Sequence, residues 1–256
     1  MHDYRIIADF FRKRFSNIFH EKEPDKLKYR NELKFLCSEA QLQVVDSRIR
    51  DICSPDAHAD ASGIYRIRSL YFDDHRNRCF YENENGVDPR EKFRIRIYNE
   101  NADRITLECK QKKNGLNHKD STRLTPELLE QILRGSMPAP AVRDPLLYKF
   151  WLQTRTRLLA PKVIVQYQRT PYVYPDGNVR ITFDRFISAS DRLDHFLDPT
   201  LPLQPVMPAG MHILEVKYDE FLPHYIYDVL QLGRMRQTAF SKYYTCRAFY
   251  MNQGLF

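Results

Sequence analysis

Arg30-Asn31-Glu32-Leu33-Lys34-Phe35 alternates charged and apolar side chains with a period of two. Side chains two apart on a strand share a face, so Glu32 and Lys34 would point one way and Leu33 and Phe35 the other. The same glutamate–lysine spacing returns in Glu108-Cys109-Lys110 and Glu215-Val216-Lys217, and paired arginines take it in Arg66-Ile67-Arg68 and Arg94-Ile95-Arg96. Arg180-Ile181-Thr182-Phe183-Asp184 alternates likewise. On any one strand this is the pattern of an ordinary sheet with one wet face. Across the strands together, the charged positions are rich in arginine, with single carboxylates set among cations. If the sheet closes into a barrel, these faces line its lumen and the apolar faces lie outward under helices. Buried like charges repel, so such a lumen calls for a bound polyanion.

The rest of the 256 residues supports an α+β fold with a largely antiparallel sheet of about eight strands. Strands are expected over Lys28 to Leu36, Ile64 to Asp73, Glu91 to Asn99, Arg104 to Lys112, Lys162 to Tyr174, Val179 to Ser188 and His212 to Tyr218. Asn114-Gly115 marks a turn, and Pro175-Asp176-Gly177-Asn178 joins two strands as a hairpin. Ser38 with Gln41 forms a capping box ahead of the apolar stripe Leu42, Val45, Ile49. Thr125-Pro126 and Asp144-Pro145 open two more helices, and a further helix is expected from Pro223 to Gly233. The tail beyond it fits helix or strand. Residues 1–25 are expected to form an amphipathic helix packed on the body, and residues 26–256 a single domain.

A net charge of +7 favours an anionic partner without choosing among nucleic acid, membrane surface, nucleotide and inorganic phosphate. The five cysteines have neither metal-knuckle nor redox spacing, which suits a reducing, cytoplasmic setting. No run of about 18 apolar residues predicts a membrane span, and no signal-peptide core stands at the N-terminus. Histidines lack zinc spacing, and no glycine-rich loop followed by lysine marks a P-loop. RNA-binding sheets stack bases on aromatics, yet Phe35, Phe93 and Phe183 fall opposite the charged face, which argues against a nucleic-acid partner. The charged face suits phosphate chemistry. Arginine offers a fork that matches phosphate oxygens, lysine a compact point charge, and glutamate a hard oxygen ligand for magnesium or manganese.

Eight motifs stand in an order that resembles a known family. They are Arg30-Asn31-Glu32-Leu33-Lys34-Phe35, Ser69-Leu70-Tyr71-Phe72-Asp73, Lys92-Phe93-Arg94-Ile95-Arg96, Leu107-Glu108-Cys109-Lys110, Gln168-Arg169, Val179-Arg180-Ile181-Thr182-Phe183-Asp184, Leu214-Glu215-Val216-Lys217 and Ser241-Lys242. Together they resemble the VTC polyphosphate polymerase domain, one of the triphosphate tunnel metalloenzymes related to CYTH proteins, over roughly Lys26 to Tyr250. The resemblance implies an eight-stranded antiparallel β-barrel, a triphosphate tunnel with charged lumen and helices packed outside. It implies a metal-dependent transfer of the terminal phosphate of ATP to a growing polyphosphate chain. Carried over by position, Lys34, Arg94, Arg96, Lys110, Arg169, Arg180 and Lys242 would grip phosphates. Ser241, Lys119 and Lys217 would add substrate contacts, and Glu215 would hold manganese or magnesium with Glu32 and Glu108 as helpers. Arg66 and Arg68 fit the charge pattern and are counted as substrate-binding candidates on that ground, without a counterpart in the family. The sequence has neither the SPX domain nor the membrane helices of the eukaryotic relatives, and so resembles the stand-alone bacterial form. Three readings follow: a polymerase using ATP, a tripolyphosphatase or nucleoside triphosphatase of the same fold, and a polyanion-binding protein without catalysis.

Overall fold

Alternation becomes a sheet here because every long strand has an apolar face to bury, and the computed structural model describes this over residues 29–56, 62–141 and 143–253. The helix expected over residues 1–25 lies outside the described residues. The strands are β1 (Asn31–Ser38), β2 (Ser54–Pro55), β3 (Tyr65–Asp73), β4 (Arg90–Tyr98), β5 (Asn101–Lys113), β6 (Leu116–Leu124), β7 (Ala160–Tyr174), β8 (Val179–Ser190), β9 (Gln204–Pro205), β10 (Met211–Tyr218) and β11 (Arg236–Gln237). They form one antiparallel sheet in the order β11-β1-β10-β8-β7-β3-β4-β5-β6, with β2 on β7 and β9 on β8.

The expected eight-stranded barrel is corrected in two ways. The sheet has eleven strands, and its ladder is not continuous around a ring. β11 pairs with β1 at Phe35 and Leu36, taking the edge that β6 would need for a full ladder. The sheet nevertheless curls until β6 reaches the start of β1, where Arg30 and Asn117 exchange two backbone hydrogen bonds of 2.8 and 2.9 Å.

Among the described residues six α-helices accompany the sheet: α1 (Glu39–Ile49), α2 (Arg78–Glu84), α3 (Pro126–Leu133), α4 (Pro145–Thr156), α5 (His224–Val229) and α6 (Lys242–Gln253). The start signals act as expected. Ser38 and Gln41 close a capping box, while Thr125 and Asp144 accept from the backbone of Leu128 and Leu147 just ahead of a proline in the first turn. Two cores lie on the convex face. One packs Phe93, Ile95, Ile97, Leu107 and Cys109 under Leu129 of α3 and Phe150 of α4. The other packs Phe35, Ile181, Phe183 and Val216 under Leu42, Val45 and Ile49 of α1. A third core sits on the concave face, where Tyr243 and Cys246 of α6 meet Val163, Val165, Tyr167 and Ile213. So the tail is a helix, and it packs inside the curl, whereas the sequence leads one to expect helices only outside. Asp73, fully buried, holds it there: its carboxylate accepts from the Tyr243 hydroxyl at 2.5 Å and from the α2 backbone at Cys79 and Phe80.

β6 and α2 were not legible in the alternation. β6 is polar throughout its middle and pairs only with β5 along its length. Its signal is the turn before it: Lys113 pairs with Leu116 across Asn114-Gly115, and both turn residues have positive φ (52° and 77°), the two-residue hairpin geometry.

Candidate functional site

β1 and β10 show how the site is assembled. Antiparallel register sets Glu32 opposite Lys217 and Lys34 opposite Glu215, so the two glutamate–lysine motifs run head to tail and every carboxylate meets a cation. β8 extends the row with Arg180 opposite Lys217 and Thr182 opposite Glu215. On the other side, β4 and β5 set Arg94 opposite Glu108 and Lys92 opposite Lys110. β7 presents Arg169 to Asp184 of β8.

These side chains converge on a cavity of about 400 Å³ lined from β1, β3, β4, β5, β6, β7, β8, β10 and the start of α6. Of the residues proposed from sequence, Lys34, Arg94, Arg96, Lys110, Arg169, Arg180, Lys242, Lys119, Lys217, Ser241, Glu32 and Glu215 line it. Glu108, buried in the wall, anchors three of them. A second cavity of about 420 Å³ shares Glu32, Lys34, Lys92, Lys110 and Ser241 with the first and adds Arg90 and Lys112. The charged space thus runs on past the first cavity.

Three carboxylates organise the cations. Glu108 binds Arg94 at 2.6 Å and Lys119 at 2.7 Å, with Arg96 at 3.7 Å. Burial alone would push its pKa up, but Arg94, Arg96 and Lys119 hold it far below the carboxylate range. Glu32 binds Lys110 at 2.6 Å and Lys34 at 2.8 Å, and these two outweigh its burial in the same way. Glu215 binds Lys217 at 2.5 Å and has Lys242 at 3.8 Å; Lys217 and Lys242 outweigh burial and keep it ionised. Asp184 is a fourth, absent from the sequence-based site. It takes a two-point bond from Arg169 at 2.7 and 2.8 Å and a third from Lys242 at 2.5 Å. The alternation Arg180, Thr182, Asp184 was its signal.

Lys92 was also passed over, although it shares the face of Arg94 and Arg96 and lines both cavities. Burial, then Lys110, Lys34 and Arg90, draw its pKa down to about 7. Lys110 is drawn to about 7 as well, by burial, which the attraction of Glu32 does not overcome. Aromatics are present after all: Tyr65, Tyr71, Tyr167 and Tyr243 line the cavity, while Phe35, Phe93 and Phe183 are buried in the convex cores as expected. The Tyr71 hydroxyl accepts from Arg94 at 2.9 Å, and Tyr65 accepts from Arg180 at 3.0 Å.

Arg66 and Arg68 are placed elsewhere. β3 turns Tyr65, Ile67 and Tyr71 to the cavity, so both arginines point to the convex side. Arg66 is exposed beside Glu100 at 3.3 Å. Arg68 is almost wholly buried and donates to Gln166 Oε1 at 2.6 Å and to the carbonyls of Phe196 and Asp198 at 2.9 and 2.6 Å.

Among the described residues no three of His, Cys, Asp and Glu cluster as a protein cage. Of the four carboxylates just described, Glu215 offers the least engaged oxygen, Oε2, whose ion-pair partner Lys242 stands 3.8 Å away. That fits a magnesium- or manganese-type ion held by one or two carboxylates together with substrate phosphates.

Among solved structures, the chain is similar to a proposed adenylate cyclase from Bacillus halodurans, at 15% identity and a TM-score of 0.47, covering 80% of this chain and 88% of that one. A Pyrococcus horikoshii protein gives 14% identity and a TM-score of 0.44 over 83% and 95% of the two chains. The Mimivirus capping enzyme triphosphatase gives 11% and 0.38 over 90% and 94%. No curated protein matches the chain. Among the described residues no helix is long and apolar enough to cross a membrane. Residues 29–251 match the model of the family described as the VTC domain, and the chain belongs to that family.

Proposed function

We propose that this VTC-domain chain is a polyphosphate polymerase, transferring the terminal phosphate of ATP to a growing polyphosphate chain on the concave face of its sheet. The observation that carries the reading is the convergence of cations from β1, β4, β5, β6, β7, β8, β10 and α6 on one cavity. Phosphoryl transfer asks mainly for positioning and for neutralisation of spread negative charge. In this reading Arg94, Arg96, Arg169 and Arg180 grip phosphate oxygens, each already oriented by a carboxylate or a tyrosine hydroxyl. Lys34, Lys110, Lys119, Lys217 and Lys242 supply point charges, and Ser241 a hydroxyl. Glu215, with Glu32 near it, would hold a divalent cation, manganese or magnesium, which supplies further neutralisation of the phosphates. The five free cysteines support a reducing, cytoplasmic setting.

A polymer product is favoured over hydrolysis of a short substrate by the second cavity, which continues the basic surface beyond the first. Incubation with ATP and manganese, with products resolved on a gel and free phosphate measured, tests this. Long chains are expected. Phosphate release without chains would identify the hydrolase, and tight tripolyphosphate binding without turnover a binding protein.

A further inference from the structure

The cations of the concave face differ in what holds them. Arg94, Arg96 and Lys119 share Glu108, Lys34 and Lys110 share Glu32, and Arg169 and Lys242 share Asp184. Lys217 has Glu215, and Arg180 has Asp56 at 2.8 Å. Lys92 forms no ion pair among the described residues; its amine donates to Ser241 Oγ at 3.1 Å and lies 6.0 Å from the centre of the Tyr243 ring. The groups facing it are cationic or neutral. Lys110 stands directly opposite across the β4–β5 ladder, Lys34 reaches in from β1, and Arg90 shares its own strand. Ser241 and Tyr243 of the α6 end are uncharged, and the Cys79 thiol of α2 is a weak opposing influence with its own pKa pushed up by burial.

We propose that Lys92 is a phosphate-binding residue that in mildly alkaline solution meets the polyanion as a neutral amine and takes a proton from solvent as the complex forms, while Ser241 donates its hydroxyl to the same phosphate. The seat is at the seam of the two cavities, both of which Lys92 and Ser241 line. Burial first, and then the like charges of Lys110, Lys34 and Arg90, draw the free-state pKa to about 7, and no carboxylate pairs with the ammonium to offset them. A phosphate oxygen supplies the missing counter-charge and restores the ordinary preference of lysine for its proton. Ser241 Oγ already accepts from Lys92 and from the Tyr244 backbone N–H at 3.3 Å, which leaves its own proton to give. The step is one proton from the buffer to the Nζ lone pair; no other covalent bond changes. This inference rests on the reading that the cavity binds phosphate chains, and it adds that Lys92 is a residue through which binding is proton-coupled, its share separated from that of Lys110 by comparison with variants at Lys92 alone.

Calorimetric titration of tripolyphosphate into the full chain, at about pH 8 in two buffers of unlike ionisation enthalpy, measures the protons taken up. Comparison with Lys92→Gln cancels protons released by the ligand itself. The full chain is expected to take up about one proton more than Lys92→Gln, and to bind about tenfold more tightly. The difference in uptake is expected to vanish at about pH 5, where Lys92 is already charged. Lys92→Arg, charged throughout, should bind without the extra uptake and serves if the glutamine variant fails to fold. Equal uptake in the full chain and the variants overturns the inference and leaves the phosphate cavity standing. Failure of the unaltered chain to bind tripolyphosphate removes the cavity reading, and this inference with it.

Discussion

β3 and β4 lie side by side and carry the same three letters, Arg-Ile-Arg, yet they put them on opposite faces. The ladder sets Ser69 opposite Arg96 and Tyr71 opposite Arg94, while Arg68 stands opposite Ile97 of the convex core. Arg94 and Arg96 therefore look into the basic cavity beside Glu108, and Arg68 is tied down among carbonyls on the other side. One pair is held as a surface for anions and the other is consumed by the fold. A charged doublet on a strand does not say which face is functional; the partner across the ladder does.

Substitutions can break this comparison. The largest effect is expected at Arg94→Ala, which should lower turnover of ATP by at least about a hundredfold. Its circular dichroism should stay that of the unaltered chain, because Glu108 keeps Lys119 and Arg96. Turnover like that of the unaltered chain would sink the placement of Arg94 at the phosphates. Arg68→Ala should do the opposite. It strands the Gln166 side chain and two buried carbonyls, at about 2–4 kcal/mol of stability, read as a lower Tm, with turnover per folded molecule kept.

A pH series sharpens the contrast further. Lys92 and Lys110 both have depressed pKa values of about 7 in the folded chain. Between about pH 7 and pH 9 the unfolded chain then binds more protons at these two positions, so stability should rise with pH, whereas lysines whose pKa is raised by a carboxylate stay protonated in both states and add no slope in that range. Stability from this source is lost as pH falls towards about 7, and a saturating polyanion should flatten the trend. A Tm that falls steadily from pH 7 to pH 9 in the free protein would contradict the cation crowding. The smallest effect is expected at Arg66→Ala: an exposed pair with Glu100 contributes under about 1 kcal/mol, and neither Tm nor turnover should move appreciably.

Much of this was legible in the sequence because burial enforces parity. On β1, β4, β5, β8 and β10 one face is cleanly apolar, so the other could be assigned without a structure. β3 misled because Ile64 to Asp73 is apolar on both faces: Tyr65, Ile67 and Tyr71 close the cavity side while Leu70 and Phe72 fill the convex core. The arginines were then the leading charged cue, and they belong to the end of the strand where Glu100 and the 196–198 carbonyls lie. β6 was hidden for the converse reason, as an edge strand with too little apolar surface to alternate. Asp184 and Lys92 were in plain view and went unread, because a lone aspartate within a strand and a lysine beside two arginines each look like solvated charge. Closure of the sheet was beyond reach, since it turns on β11, two residues long, competing with β6 for the edge of β1.

Binding of tripolyphosphate to Arg94→Ala and Arg66→Ala, measured side by side with the unaltered chain, tests the assignment of the concave face most directly. The account predicts a loss of about a hundredfold in the first and a change within about twofold in the second. Equal losses in both, or a loss confined to Arg66→Ala, would contradict it.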